Sequence, residues 1–130
     1  MAEEKKKILL IDDDKFLVDM YTVKFREANF DIIPAFSGEE ALDKLKEGAK
    51  PDVVLMDMIM PGMSGLDFLS AMKQGNFAPN AACIFLSNQG QKSDIDEAKK
   101  LGVDGYIVKA NTIPCEVLEQ VNEILKKRQK

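Results

Sequence analysis

The chain contains 130 residues, of which 45% are hydrophobic and 31% are charged. This is the size and balance of one domain that folds around its own core. Its net charge of -4 argues against a nucleic-acid-binding surface, because such domains are usually basic. The sequence contains no histidine, which excludes a histidine general base, a histidine-ligated zinc ion and a nucleophile activated by histidine within the chain.

The cysteines and the amino-terminal segment carry no sign of export. Cys83 and Cys115 cannot form a disulfide framework or a zinc site by themselves, and their surroundings predict a buried strand residue and a helix-face residue. After Lys5–Lys7 come only four apolar residues, Ile8–Ile11. A signal peptide needs about 7–15 and a membrane span about 20. We therefore expect a reducing cytoplasm.

Short apolar runs alternate with segments of helical periodicity. The runs suit strands buried on both faces, and apolar residues three or four positions apart indicate helices lying on a sheet. In chain order the prediction is a strand at Ile8–Ile11, a helix with apolar face Leu17, Met20, Tyr21 and Phe25, a strand at Ile32–Phe36, a helix with Ala41, Leu42 and Leu45, a strand at Val53–Met56, a helix with Leu66, Leu69 and Met72, a strand at Cys83–Leu86, a helix with Ile95, Ala98 and Leu101, a strand at Tyr106–Val108, and a helix with Val117, Leu118, Val121, Ile124 and Leu125.

Start and stop signals agree with these helices. Ser37 and Glu40 have the spacing of a capping box. The other signals are Gly48 and Gly102 as helix stops, Ser64 as a cap, and Thr112 with Pro114 as a helix start.

This alternation predicts an α/β fold, a doubly wound five-stranded parallel sheet with five helices on two faces. Pro34 cannot donate to a ladder, so the second strand should lie at an edge. That favours the flavodoxin-like strand order 2-1-3-4-5, with the first and third strands adjacent at the switch point. We expect a single domain over residues 1–130, with frayed ends at 1–6 and 127–130.

Polar residues follow four of the predicted strands directly. The first strand ends in Asp12–Asp14, the third in Asp57, the fourth in Ser87 and the fifth in Lys109. Parallel strands bring these residues to one edge of the sheet, where doubly wound folds bind ligands. Clustered carboxylates need a counter-charge, and hard oxygen ligands favour Mg²⁺ or Mn²⁺. A carboxylate beside a cation, a lysine and a hydroxyl is suited to attack phosphorus.

Simpler interpretations exist for each residue alone. Asp12–Asp14 could be helix caps, Asp57 and Ser87 turn residues, and Lys109 a solvated lysine. Their joint occurrence at four strand ends favours the site.

The sequence resembles the receiver domains of two-component response regulators over essentially its whole length. The resemblance lies in Ile8–Asp14, in Val53–Gly65 with Asp57, Met60-Pro61 and Gly65, in Ile84–Ser87 and in Gly105–Lys109.

The resemblance implies that Asp57 accepts a phosphoryl group from a phosphohistidine on a histidine kinase or a histidine phosphotransfer domain. It implies that Asp13, Asp57 and the Ile59 carbonyl bind the metal directly and that Asp12 acts through a water. It also implies that Lys109 pairs with the phosphoryl oxygens. Ser87 and Tyr106 would then move and reshape the surface of the fourth helix, fifth strand and fifth helix, which a downstream protein reads. The domain would signal rather than act as an enzyme on a substrate, beyond catalysing its own phosphotransfer and dephosphorylation.

Two positions depart from the family, and two others are expected to set the phosphoryl lifetime. Ala110 replaces the usual proline after the lysine, and Asn88 replaces a small alanine. Ile59 and Gln89 flank the site, and we expect apolar Ile59 to order attacking water poorly, which predicts a long-lived phosphoryl group.

Three other functions are compatible with parts of this sequence. A phosphatase of the haloacid-dehalogenase kind needs Asp-x-Asp-x-Thr/Val, and Phe16 breaks that motif. A flavin carrier needs a Ser/Thr/Gly-rich phosphate-binding loop after the first strand, where this chain has an aspartate run that would repel a phosphate. The main alternative is a protein-binding module that keeps this scaffold without phosphorylation, which the residues Asn88 and Ala110 leave open.

Overall fold

Strands and helices alternate through the part of the chain that the computed structural model describes, residues 6–58, 60, 62–87, 92–108 and 114–128. Each strand is followed by one helix, as the sequence predicts. The elements are β1 Lys6–Ile11, α1 Lys15–Glu27, β2 Phe30–Ala35, α2 Gly38–Lys46, β3 Val53–Met56, α3 Gly65–Gln74, β4 Ala82–Ser87, α4 Lys92–Lys100, β5 Gly105–Val108 and α5 Pro114–Arg128.

The strands form one parallel sheet in the order β2-β1-β3-β4-β5. β2 lies at an edge, where Pro34 is opposite Leu10 of β1 and its missing N–H leaves no ladder bond unmade. The predicted fold class and strand order are confirmed. The carboxyl ends of β1 and β3 are adjacent, as a switch point requires.

Alternate residues of the central strands enter two separate apolar layers, since side chains of a strand point to opposite faces in turn. Ile8 and Leu10 of β1 pack with α1 and α5, whereas Leu9 and Ile11 pack with α2, α3 and α4. The helix residues buried in the first layer are Val18, Tyr21, Phe25, Val117, Val121 and Leu125, and those in the second are Ala41, Leu45, Phe68, Leu69, Met72 and Ala98.

Some details of the elements differ from the sequence prediction. Met20 was expected in the core but is 37% exposed, and Val18 is buried in α1 instead. Helical spacing predicts that one face of the helix is apolar, but the buried positions can be displaced by one or two residues from those predicted. The predicted box at Ser37 is also altered: Ser37 Oγ accepts the Glu40 N–H, but the Glu40 carboxylate accepts the N–H of Phe36 at 3.3 Å. A complete box is found at Ser64 and Asp67 of α3.

The first and last described elements extend close to the two ends of the chain. Lys6 belongs to β1, and α5 continues to Arg128; residues 1–5 and 129–130 lie outside the described part. None of the described helices has the length and apolar character that a membrane-spanning segment needs.

The cysteines lie where the sequence predicted, Cys83 buried and Cys115 exposed, both as free thiols. Contact with the Cys115 side chain raises the pKa of Lys24 on α1, and Glu27 raises it further.

Two aspartates link neighbouring strands at their amino-terminal ends, at the end of the sheet opposite the predicted site. The Asp104 N–H donates to the Cys83 carbonyl at 2.7 Å, and its carboxylate accepts the Cys83 N–H at 2.8 Å. Asp52 makes the same reciprocal pair with Lys7 at 2.8 and 2.9 Å. Each side chain replaces a ladder partner just before its strand begins, so β3 and β5 are held to their neighbours there.

Candidate metal centre

Asp12 and Asp57 lie side by side because each follows the last paired residue of neighbouring strands. Ile11 of β1 pairs with Met56 of β3, and the Asp57 N–H donates to the Ile11 carbonyl at 2.9 Å. The Asp12 N–H donates to the carbonyl of Ala35 at 3.1 Å. Both backbones are therefore fixed by ladder bonds at the carboxyl edge of the sheet.

Of the three consecutive aspartates after β1, the last one caps the helix that follows. Asp14 is the N-cap of α1, and its carboxylate accepts the N–H groups of Phe16 at 3.0 Å and Leu17 at 3.3 Å. The Asp14 N–H in turn donates to Asp12 Oδ1 at 3.0 Å. The cap interpretation that the sequence left open thus applies to Asp14.

The remaining two aspartates meet Asp57. Each of Asp12, Asp13 and Asp57 offers a carboxylate oxygen, and these atoms all lie within 4.8 Å of one another. Asp12 is 2% exposed and Asp57 is 9% exposed, whereas Asp13 is exposed. Two unit charges at this separation repel by about 1 kcal/mol in water and about 3 kcal/mol at an effective dielectric of 20. Three hard oxygen donors in one half-open cluster fit a divalent cation such as Mg²⁺ or Mn²⁺.

The turn between β3 and α3 packs directly against Asp57. The Gly65 N–H donates to the Met58 carbonyl at 2.8 Å. A Cβ atom on Gly65 would overlap the Asp57 carbonyl oxygen and would come within 2.8 Å of Phe85 Cε1. Gly65 was part of the motif in the sequence, but its close approach to the Asp57 backbone was not predicted.

Tyr106 reaches this turn from β5. Its hydroxyl lies 3.8 Å from Met58 Sδ, and its ring is 6.4 Å from that of Phe85, to which it is paired in the sheet. Tyr106 is half-buried and Met58 is 3% exposed. Sequence reasoning identified Tyr106 but not its contact with Met58, because nothing local connects residues 48 positions apart.

Other residues of the predicted site are described in part or not at all. Ser87 is the last residue of β4, where it pairs with Val108 of β5, so its backbone ends at the same edge as Asp57. Its side chain lies outside the described part of the chain. The remaining predicted positions also lie outside it: Ile59, Asn88, Gln89, Lys109 and Ala110.

The chain matches the family model of the response regulator receiver domain over residues 8–122. It is 36% identical over 122 residues to the chemotaxis protein CheY of Thermotoga maritima, an alignment that covers 93% of this chain and 98% of that protein. It is 29% identical over 129 residues to the DNA-binding response regulator MtrA of Mycolicibacterium smegmatis, covering 99% of this chain and 54% of MtrA. The chain thus spans about half of that second relative.

A solved structure of a receiver domain is also similar to this chain. The receiver domain of the Francisella response regulator 1452 superposes with a TM-score of 0.83 at 32% identity, covering 97% of this chain and 100% of that one.

Proposed function

The chain belongs to the response regulator receiver domains, and from that premise we propose that it accepts a phosphoryl group from a partner's phosphohistidine onto Asp57 in a Mg²⁺-dependent reaction. The observation that carries the proposal is the convergence of Asp12, Asp13 and Asp57, with carboxylate oxygens within 4.8 Å of one another. Membership of the family gives the domain its role in signalling. The phosphoacceptor and the metal are our inference from the cluster.

The proposed transfer forms one bond at Asp57 and breaks one bond in the donor. An Asp57 carboxylate oxygen forms a bond to phosphorus while the nitrogen–phosphorus bond of the donor breaks, and the imidazole leaves with a proton from solvent. The carboxylate needs no general base. The donor imidazole must lie outside these 130 residues, because they include no histidine. A bound divalent cation would offset both the repulsion among the acids and the charge on the phosphoryl oxygens.

The further roles rest on the family resemblance. Asp13, Asp57 and the Ile59 carbonyl would hold the cation, with Asp12 acting through a water. Lys109 would pair with the phosphoryl oxygens.

Ser87 and Tyr106 would respond to the new charge, and the surface of α4, β5 and α5 would present the result to a downstream protein. A long phosphoryl lifetime set by Ile59 and Gln89 also stays a prediction.

The proposed partners are a histidine kinase or a histidine phosphotransfer domain and a protein target, in the cytoplasm. The chain's net charge of -4 gives no support for direct DNA binding, although MtrA is named as DNA-binding.

The decisive experiment is incubation with Mg²⁺ and acetyl phosphate, read by intact mass. We expect the wild type to gain one phosphoryl mass and Asp57→Asn to gain none, because the amide cannot act as the nucleophile. Chelation of the metal should reduce uptake in the wild type strongly. If the wild type gains no mass with Mg²⁺ present, the domain is instead a binding module that works without phosphorylation.

An exposed apolar stripe on α1 begins next to the site. Phe16 is 76% exposed and Val23 is 61% exposed, with Met20 between them at 37%. Phe16 follows Asp13 by three residues, so a protein that presents a phosphohistidine to Asp57 would cover it. We propose that the phosphohistidine donor buries this ring.

Phe16→Ala should therefore slow transfer from a donor protein selectively. A buried aromatic anchor contributes about 2 kcal/mol or more to an interface, so we expect at least a tenfold lower rate from any phosphotransfer protein that serves the wild type. Uptake from acetyl phosphate should stay within about twofold. Val23→Ala, about 10 Å further along the helix, is the matched control and should change both rates less. Equal losses with both donors would contradict a docking role for Phe16.

A further inference from the structure

The exposed apolar stripe on α1 has the spacing of a helix-pairing surface. Among the described residues, the exposed large apolar side chains are Phe16, Met20 and Val23, and all three lie on this one helix. They are separated by four and then three residues, as along the contact line of two paired helices. Val18 and Phe25 of the same helix are buried in the core, so the stripe is additional to the face that α1 needs for folding.

The stripe ends in a groove between α1 and α5. The groove has a volume of about 480 Å³ and is lined by Met20, Val23, Lys24 and Glu27 of α1 and by Cys115 of α5. The four α1 residues follow the spacing n, n+3, n+4 and n+7, which is the set that surrounds an inserted side chain in paired helices. Lys24 Nζ and Glu27 Oε1 lie 3.9 Å apart, so the two charges at the rim offset each other. The groove therefore suits an apolar side chain.

A side chain that fits the groove is present at the other end of the same stripe. Phe16 is 76% exposed, and helical side chains lean towards the amino terminus, so its ring points away from its own groove. In an antiparallel pair of α1 helices, with the twofold axis between Met20 and Val23, Met20 faces the partner's Val23. Phe16 then faces the partner's groove, and each copy fills the groove of the other.

The charges beside the stripe favour the antiparallel arrangement. Asp19 and Arg26 are both exposed and lie two turns apart, on the same side of the stripe. In the antiparallel pair, Asp19 comes within about 3 Å of the partner's Arg26 along the helix axis, which gives two contacts of opposite charge. A parallel pair would instead place Asp19 against the partner's Asp19.

We propose that α1 is a self-association surface, on which two copies of this chain pair antiparallel and each Phe16 ring occupies the groove of the other copy. The inference does not depend on phosphoryl transfer. A single pair of helices buries little area, and interfaces below about 1,200 Å² are typical of transient complexes, so the pairing is weak and depends on concentration. Because it covers Phe16, the paired form cannot present that ring to a phosphohistidine donor at the same time.

Sedimentation at concentrations up to about 1 mM tests the pairing. We expect the wild type to form dimers and Phe16→Ala to raise their dissociation constant at least tenfold, because each dimer loses two buried rings. Asp19→Arg and Arg26→Asp should each raise it about fivefold or more, because each places like charges together twice. Asp43→Arg is the matched control. It makes the same change of charge at an exposed position of α2, which packs on the other face of the sheet, and it should change the dissociation constant less than about twofold.

A mixture of the two charge variants gives the sharpest test. Combined in equal amounts, the Asp19→Arg and Arg26→Asp proteins regain both contacts of opposite charge, but only between unlike copies. We expect the mixture to associate at least about fivefold more tightly than either variant alone. The double variant, which carries both changes in one chain, should pair with itself as the wild type does.

Each of the opposite results would overturn the proposal: a wild type that stays monomeric at the highest concentration, dimers that Phe16→Ala leaves unchanged, or a mixture no tighter than its components. Circular dichroism of each variant shows that it is folded. Phosphoryl uptake by Asp57, read by intact mass, is a separate measurement, so failure of the pairing leaves the proposed function intact.

Discussion

Gly65→Ala is expected to lower the free energy of unfolding by about 3 kcal/mol and to disturb Asp57 at the same time. The added Cβ would overlap the Asp57 carbonyl oxygen and lie 2.8 Å from Phe85 Cε1 and 2.9 Å from the Met58 Cα. Two of these neighbours are backbone atoms of Asp57 and Met58, and the Asp57 N–H is bonded to the Ile11 carbonyl of the sheet, so this backbone cannot shift freely. Overpacking of this kind typically costs about 1–3 kcal/mol and sometimes more. Urea unfolding monitored by circular dichroism measures the change.

Gly38 offers a matched control for this substitution. Both glycines are the first residue of a helix after a serine N-cap. The three atoms nearest to a Cβ on Gly38 all belong to the Met63 side chain, with its sulfur at 2.8 Å, and a flexible thioether chain gives way more easily than backbone. We therefore expect Gly38→Ala to cost less than about 1 kcal/mol.

Phosphoryl uptake gives the second readout for Gly65. At a temperature where Gly65→Ala remains folded, its uptake from acetyl phosphate should fall at least tenfold, because displacement of Asp57 separates it from Asp12 and Asp13. The Gly38→Ala protein should retain the wild-type rate. Equal stability of the two variants would show that the turn does not press on Asp57 as described.

Asp13→Asn is expected to have opposite effects on the metal-free and the Mg²⁺-loaded protein. Without divalent cation it removes one of three repelling charges, so we expect the unfolding free energy to rise by about 1 kcal/mol at low salt. With Mg²⁺ it removes a proposed charged ligand, so the affinity should fall at least about 10-fold, the smaller loss typical of residues that only orient a ligand. Thermal unfolding across a Mg²⁺ titration at fixed pH measures both, since a ligand that binds the native state raises the melting temperature.

Asp14→Asn is the matched control for the adjacent position. Asp14 carries the same charge but caps α1, and asparagine is as good an N-cap as aspartate. Its Mg²⁺ titration should follow that of the wild type. A Mg²⁺ response that persists unchanged in Asp13→Asn would exclude Asp13 from the metal centre, and a loss of metal-free stability would show that the cluster is not under repulsion.

The positions of the carboxylates could be predicted because they depend on the sheet alone. Apolar runs located the strands, and Pro34 indicated which strand lies at the edge. Given the order 2-1-3, the residues that follow Ile11 and Met56 must emerge side by side. No side-chain detail is needed for that conclusion, and so the meeting of Asp12 with Asp57 followed from the chain itself.

Other features depend on packing that a sequence does not display. Asp12–Asp14 are three identical residues, and which of them becomes the cap depends on where α1 begins. Met20 and Val18 are both apolar and two positions apart, so the phase of the helix decides which is buried. The contact between Met58 and Tyr106 depends on the rotamers of residues that are far apart in sequence.

The reciprocal pairs of Asp52 with Lys7 and Asp104 with Cys83 give the two edges of the sheet different local stabilities. At the amino edge these pairs continue the ladder, so local opening there must break bonds to both main chain and side chain. At the carboxyl ends of β1 and β3, the last ladder bonds are those donated by the N–H groups of Asp12 and Asp57. We therefore expect fluctuations short of global unfolding to be concentrated at the carboxyl ends of the strands, while the amino ends stay fixed.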